Sequence, residues 1–215
     1  MNVTSLITEY NPFHNGHIYH INESRKIADA DIVIAVMSGN FTQRGEAAIT
    51  NKFIRAEHAV RHVDLVVELP LKNSISFADD FALGGVRIAE LLGSTHLVFG
   101  SESGDISTLK QLYTRSRDNV DKDELTSLIK QGYSHPRALA ELLENVDISG
   151  SNNILGLSYI RAVETLRSSI TPLTIKRVSN LYNEPDLSKG AFSSATSIRN
   201  NIMAGSIQAC LLYTS

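Results

Sequence analysis

The sequence predicts an α/β protein, a doubly wound parallel sheet of about five strands with helices on both faces and a helical insertion. Three observations carry that prediction. Short apolar runs alternate with amphipathic stretches through most of the 215 residues, the signature of strand–helix units. The links between the units are short, as in compact α/β folds. The second apolar run, DIVIAVM (31–37), is almost wholly apolar and β-branched, as a strand covered on both faces requires.

Taken in order, residues 3–8 form the first strand. Helical spacing of Ile18, Ile21, Arg25 and Ala28 predicts a helix over 17–28. DIVIAVM is the second strand. NKFIRAEHAVRH (51–62) is helical, with Thr50 or Asn51 as its cap. DLVVELP (64–70) is a third strand stopped by proline, and FADDFALGGVRIAELLG (77–93) a helix closed by glycine. THLVFG (95–100) is the fourth strand. Residues 105–145 read as helices broken near Gly132 and Pro136, forming the insertion over about 105–150. NILGLSYIRAVETLR (153–167) is amphipathic, LTIKRV (173–178) is a fifth strand, and SATSIRNNIMAG (194–205) a last helix. One domain over 1–205 follows. Residues 206–215 read as a truncated, non-native tail, because QACLLYTS has no cap or closing element.

Composition narrows the class. The apolar fraction of 42% and charged fraction of 20% are those of a globular protein. The single cysteine, Cys210, leaves no intrachain disulfide framework and no cysteine-based zinc cluster. No signal-peptide pattern is present, and no apolar run approaches the roughly 18 residues of a membrane span. A cytoplasmic protein without membrane contact is expected. The net charge of −3 means that any nucleic-acid contact is local or supplied from outside this chain.

Two constellations carry chemistry. His14-Asn15-Gly16-His17 follows the first strand and opens the first helix. Ligands of such sheets sit at the strands' carboxyl ends, and a helix start offers free N–H groups to phosphate. Gly16 would let a nucleotide approach the backbone. His14 and His17, three apart, can face one ligand and stabilise charge developing on a phosphate. The plainer alternative is a histidine-rich turn. A zinc site is a weaker one, since the spacing here gives no His-x-x-x-His pair backed by a glutamate and nearby carboxylates are few. The other constellation is FSSATSIRNN (192–201): Ser193, Ser194 and Thr196 put hydroxyls at a helix start, with Arg199 one turn in. These suit a polyphosphate, although ordinary N-capping explains the serines alone. After the second strand, Asn40, Gln43, Arg44 and Lys52 lie on the ligand rim, with Arg44 the best single candidate for a catalytic contact. Arg55 and Arg61 fall on a helix and suit a solvated face; Arg115 and Arg117 suit a charged helix end. Glu68 and Glu102 end strands, where they orient a ligand or cap a helix.

The pair HNGH and SSATSIR resembles the HxGH and SSTxxR motifs of the nucleotidyltransferase superfamily. ITEYNPFHNGHIYH, VIAVMSGNFTQRGEAAI, DLVVELP, FGSE and SNNILGLSYIRA are similar to segments of the bacterial tRNA(Met) cytidine acetate ligase family. The likeness runs from about residue 2 to 205. It implies a Rossmann-like fold of the nucleotidyltransferase type. It also implies ATP-dependent activation of acetate to acetyl-adenylate, then acetylation of the wobble cytidine of elongator tRNA(Met). The implied ATP contacts are Ile7, Thr8, Glu9, Tyr10, Asn11, Pro12, Phe13, His14, Asn15, Gly16, His17, Ile18, Tyr19 and His20. Gly100, Asn152 (or its neighbour Asn153), Arg177, Ser193, Ser194, Thr196 and Arg199 complete the set. His14, His17, Arg44 and Arg199 are the expected catalytic groups. Magnesium is expected with ATP, held mainly through phosphate and water rather than by protein ligands. Family members continue into a helical tRNA-binding region that this chain lacks. Rival readings are an adenylyltransferase for another small acceptor, and a nucleotide- or RNA-binding protein without turnover.

Overall fold

The computed structural model describes residues 1–118, 121–133, 138, 141–142, 150–177 and 194–205. Ser193 and the tail over 206–215 lie outside the described residues, as does part of the insertion.

Five strands, β1 (Val3–Thr8), β2 (Ile32–Ser38), β3 (Leu65–Leu69), β4 (His96–Ser101) and β5 (Thr171–Lys176), form one sheet in the order β3-β2-β1-β4-β5. Every pairing is parallel. The chain winds outward from β1 through β2 to β3, then returns to lay β4 and β5 on the other side of β1. The connections therefore diverge between β1 and β4, and that is where a doubly wound sheet opens a crevice at its carboxyl edge.

Both faces of the sheet are covered because its strands are apolar on both faces. On one side α1 (Asn15–Ile27) and α2 (Lys52–Val60) enclose a core of Leu6, Tyr10, Phe13, Ile21, Val33, Ala35, Met37, Ala59 and Val98. On the other, α4 (Ala78–Leu91), α5 (Ile106–Asp118) and α7 (Ser151–Leu166) pack around Val36, Phe81, Val86, Leu97, Phe99, Leu109, Leu112, Leu157 and Ile160. Burying a side chain such as Leu97 or Val36 contributes about 1.5–3 kcal/mol each, so these layers set the positions of the strand ends. The acidic start of α4 is tied to α7: Asp79 accepts a hydrogen bond from the Ser158 hydroxyl at 2.7 Å and pairs with Arg161 at 2.6 Å.

A single turn, α3 (Leu71–Ser74), starts directly after Pro70, and α6 (Lys122–Lys130) follows α5 with Asp121 as its cap. The last described helix is α8 (Ala195–Met203), capped by Ser194. Two boundaries differ from the sequence expectation in a way that matters below. The first helix starts two residues early, at Asn15, because a histidine caps it. The fifth strand spans Thr171–Lys176, so Arg177 lies just beyond the strand rather than on it.

Candidate active site

β1 leads straight into the histidine segment. After Thr8 the chain turns at Tyr10, a buried residue with φ of 50°, and passes through a cis Asn11–Pro12 peptide. His14 then caps α1. Its Nδ1 accepts the Gly16 N–H at 3.0 Å, and His17 Nδ1 accepts the His14 N–H at 3.3 Å. Imidazoles here perform the reciprocal satisfaction of helix-start N–H groups that Ser and Glu usually provide. The two rings stack with centroids 3.8 Å apart. Because both Nδ1 atoms accept, these bonds assign the proton of each neutral ring to Nε2. Each histidine is thereby a hydrogen-bond donor at its outer nitrogen.

Gly16 also has a reason within the chain itself. A Cβ there would lie 2.8 Å from His14 Cε1 and 3.0 Å from Nδ1. The missing side chain leaves room for the capping imidazole.

Burial and a neighbouring cation keep these rings neutral. His14 is pushed down to about 4, first by burial and then by the Arg177 guanidinium. His20 is pushed down to about 4 by the same two causes. His17 is held well below its ordinary value by burial, then by His14, His20 and Arg177. Arg177 reaches them from the far side of the crevice. Its N–H donates to the Ser101 carbonyl at 2.9 Å, and its stem crosses Gly100, where a Cβ would stand 3.1 Å from Arg177 Cγ. The side chain missing at Gly100 leaves room for the Arg177 stem.

The late motif arrives at the same place. Ser194 accepts the Ser197 N–H at 3.1 Å, capping α8. Arg199 Nη1 donates to the Asn11 carbonyl at 2.7 Å across 188 residues of chain, and Nη2 donates to the Thr196 hydroxyl at 3.2 Å. The structure therefore gathers the segment 7–20, Gly100, Arg177, Ser194, Thr196 and Arg199 at the carboxyl edge over β1, β4 and β5.

Other sequence candidates have different placements. Asn152 Nδ2 donates to Glu102 Oε1 at 2.7 Å, while the Asn153 N–H donates to Glu102 Oε2 at 2.7 Å. Asn153 Oδ1 in turn accepts the Glu102 and Ser103 N–H groups at 3.1 and 3.2 Å. Glu102 is thus a cap for α7, and the Asn pair fastens that helix to the β4 exit. Glu68 pairs with Lys52 at 2.6 Å, and Asn40 Oδ1 accepts the Lys52 N–H at 2.9 Å. Arg44 sits exposed at the tip of a turn closed by the Gly45 N–H and the Thr42 carbonyl at 2.9 Å. It makes no hydrogen bond or ion pair among the described residues, so no contact joins it to the histidines. Arg61 lies on a solvated face and pairs with Glu57 at 3.2 Å, and Arg117 pairs with Asp118 and Glu164.

Arg55 overturns its sequence expectation. It is only 2% exposed, not on a solvated face. Its guanidinium donates to the carbonyls of Glu9, Gly39 and Thr50. One signal was available: the positions four residues away on either side of it are Asn51 and Ala59, so it lacks the acidic helix partner that Arg61 has.

The model of the HIGH Nucleotidyl Transferase family matches residues 1–213. A tRNA(Met) cytidine acetate ligase of Staphylococcus saprophyticus is 48% identical over 205 residues, which is 94% of this chain and 54% of that protein. The crystal structure of apo Thermotoga maritima TmcAL superposes with a TM-score of 0.89 at 39% identity, over 100% of this chain and 54% of that one. TmcAL bound with alpha-thio ATP gives 0.87 at 38% identity, over 100% of this chain and 53% of that one. The chain thus spans about half the length of the relatives it matches. Its strand order, its HNGH helix start and these matches place it together: the chain belongs to the HIGH nucleotidyl transferase family.

Proposed function

We propose that this chain is the ATP-binding, acetate-activating portion of a ligase that acetylates the wobble cytidine of elongator tRNA(Met). The observation that carries the reading is the Arg199 bond to the Asn11 carbonyl. It joins the two phosphate-suited motifs into one concave edge, with Arg177 beside the histidines. The relatives' names supply acetate and tRNA(Met), and the alpha-thio ATP complex of TmcAL supports the nucleotide.

In this mechanism the triphosphate lies against the start of α1, between the imidazoles and α8. An acetate oxygen attacks the α-phosphorus, the bond to the bridging oxygen breaks, and pyrophosphate leaves. The Nε2–H groups of His14 and His17 donate to phosphate oxygens as negative charge grows there, and Arg177 and Arg199 add positive charge. No covalent enzyme intermediate forms; positioning and fixed donors supply the rate. The cytidine amine then attacks the acetyl carbonyl carbon of the mixed anhydride, AMP departs with the phosphate oxygen, and the amine loses a proton. Ser193 belongs to the proposed phosphate contacts by its place in the motif. Arg44, exposed on the rim, is assigned to the acyl or RNA side. Magnesium would be carried by phosphate oxygens and water, in keeping with the engagement of Glu68 by Lys52 and of Glu102 by the α7 start. With tRNA as the acceptor, the reaction is assigned to the cytoplasm. No described helix is long and apolar enough to cross a membrane.

Mass detection after mixing protein, ATP and acetate tests this reading. Acetyl-adenylate supports it. Transfer of AMP to pantetheine phosphate or nicotinamide mononucleotide, with none to acetate, replaces it with the other adenylyltransferase reading. ATP binding without any pyrophosphate release leaves only a binding protein.

A further inference from the structure

We propose that Arg55 is the positioning residue that sets where the histidine pair stands. The Arg55 side chain joins three segments far apart in sequence through their backbone carbonyls: Glu9 just past β1, Gly39 just past β2, and Thr50 on the approach to α2. A planar guanidinium can do this because its donors leave in fixed directions; an ammonium cannot reproduce the fork. Among the described residues no carboxylate is in ion-pair contact with it. The charge is spent on carbonyls, which is how a side chain holds backbone in place rather than how it serves as a surface ion pair.

What those carbonyls lead to makes the inference functional. Glu9 Oε1 accepts the Gln43 N–H at 2.8 Å, and Asn11 Oδ1 accepts the Ile49 N–H at 2.8 Å. The loop after β2 is thus stitched to the segment after β1 at two points, and Arg55 holds both at their roots. Asn11 also takes Arg199 through its carbonyl. Glu9 to Asn11 is therefore gripped by Arg55 at one end and Arg199 at the other, and His14 follows three residues later. A shift at Glu9 is passed directly to the ring positions. Arg55 itself points at backbone, so its effect on chemistry runs through the residues it holds.

The functional part rests on the nucleotide-site reading above; the positional part does not. The test uses the full chain as wild type, Arg55→Lys and Gln43→Pro, followed by amide hydrogen exchange and by titration with alpha-thio ATP. Proline suits the second position of the Thr42–Gly45 turn and removes the N–H that binds Glu9 without touching Arg55. In both variants the amides of Gly16 and Ile49 should exchange at least tenfold faster, while those of α4 and α7 keep their wild-type rates. Affinity for alpha-thio ATP should fall at least tenfold in both. Uniform acceleration through the sheet would make Arg55 a general stability residue and overturn the proposal, as would unchanged site amides. Wild type that fails to bind the analogue would refute the nucleotide reading, and the exchange pattern would still decide the role of Arg55. If Arg55→Lys does not fold, Arg55→Gln, whose planar amide keeps two donors, takes its place, and unchanged site exchange in it overturns the proposal.

Discussion

Gly16→Ala separates the histidine site from the stability of the helix that carries it. Alanine in place of a helical glycine contributes about 0.5–1 kcal/mol of stability through the backbone. The added Cβ would meet the His14 ring at 2.8 Å, and the ring, being a side chain, moves away. That breaks the 3.0 Å bond from the Gly16 N–H to His14 Nδ1, and losing a cap of this kind costs about 0.5–2 kcal/mol. The two effects oppose each other, so net stability changes by about 1 kcal/mol or less, some 2–4 °C in melting temperature for a domain of this size. The ring, however, shifts by about 0.5–1 Å to regain ordinary contact, and a misplacement of that order costs up to about a hundredfold in rate. Thermal melting and acetate-dependent pyrophosphate release should therefore diverge: a nearly unchanged melt with release reduced about 10- to 100-fold. A variant that melts like wild type and releases pyrophosphate within twofold of wild type would refute the role given to the His14 ring.

Three further outcomes follow from the same geometry. His14 and His20 are held near 4, below their ordinary 6.5, by burial first and Arg177 second. The unfolded chain then binds more protons than the folded one, so their contribution is complete above pH about 6.5 and is lost as pH falls toward 4. The urea midpoint should drop between pH 7 and 5, and drop less in His20→Gln; an identical drop in wild type and variant would remove His20 from that dependence. Glu102→Ala frees the start of α7 and should cost about 1–2 kcal/mol by urea unfolding; an unchanged urea midpoint would remove Glu102 from the support of that helix. Arg44→Ala should leave alpha-thio ATP affinity within twofold, since among the described residues nothing joins Arg44 to the histidines, and a tenfold loss would place it in the nucleotide site.

Local pattern was enough where the fold is locally determined. β1, β2 and β4 are apolar runs inside the sheet, and their limits moved by at most a residue. β5 was misplaced by two residues because Pro172 looks like a breaker; at the sheet edge, with β4 its single neighbour, a proline is tolerated. The single turn α3 is too short to show a period. In α2 the pattern is inverted: Phe53 is 74% exposed and Ile54 43%, while Arg55 is buried. No periodicity rule finds a guanidinium whose acceptors are carbonyls on three separate segments. The two site motifs were each visible in the sequence, yet their meeting depends on the strand order, which sets β1 beside β4. Glu102 and Asn152 belong to the same lesson. A carboxylate at a strand end and a polar pair at a helix start do not show in sequence that they bond to each other.

The most direct measurement of the central claim is a double-mutant cycle between His17→Ala and Arg199→Ala, read as dissociation constants for alpha-thio ATP. These residues come from opposite ends of the domain, and Arg199 bonds the Asn11 carbonyl in the segment that leads to the histidines. If one triphosphate lies between them, the two losses are coupled, by about 0.5–3 kcal/mol as for residues sharing a network. A single variant whose dissociation constant for alpha-thio ATP matches wild type would mean that the imidazoles and the last helix serve separate ligands, and the account of a single nucleotide site would be contradicted.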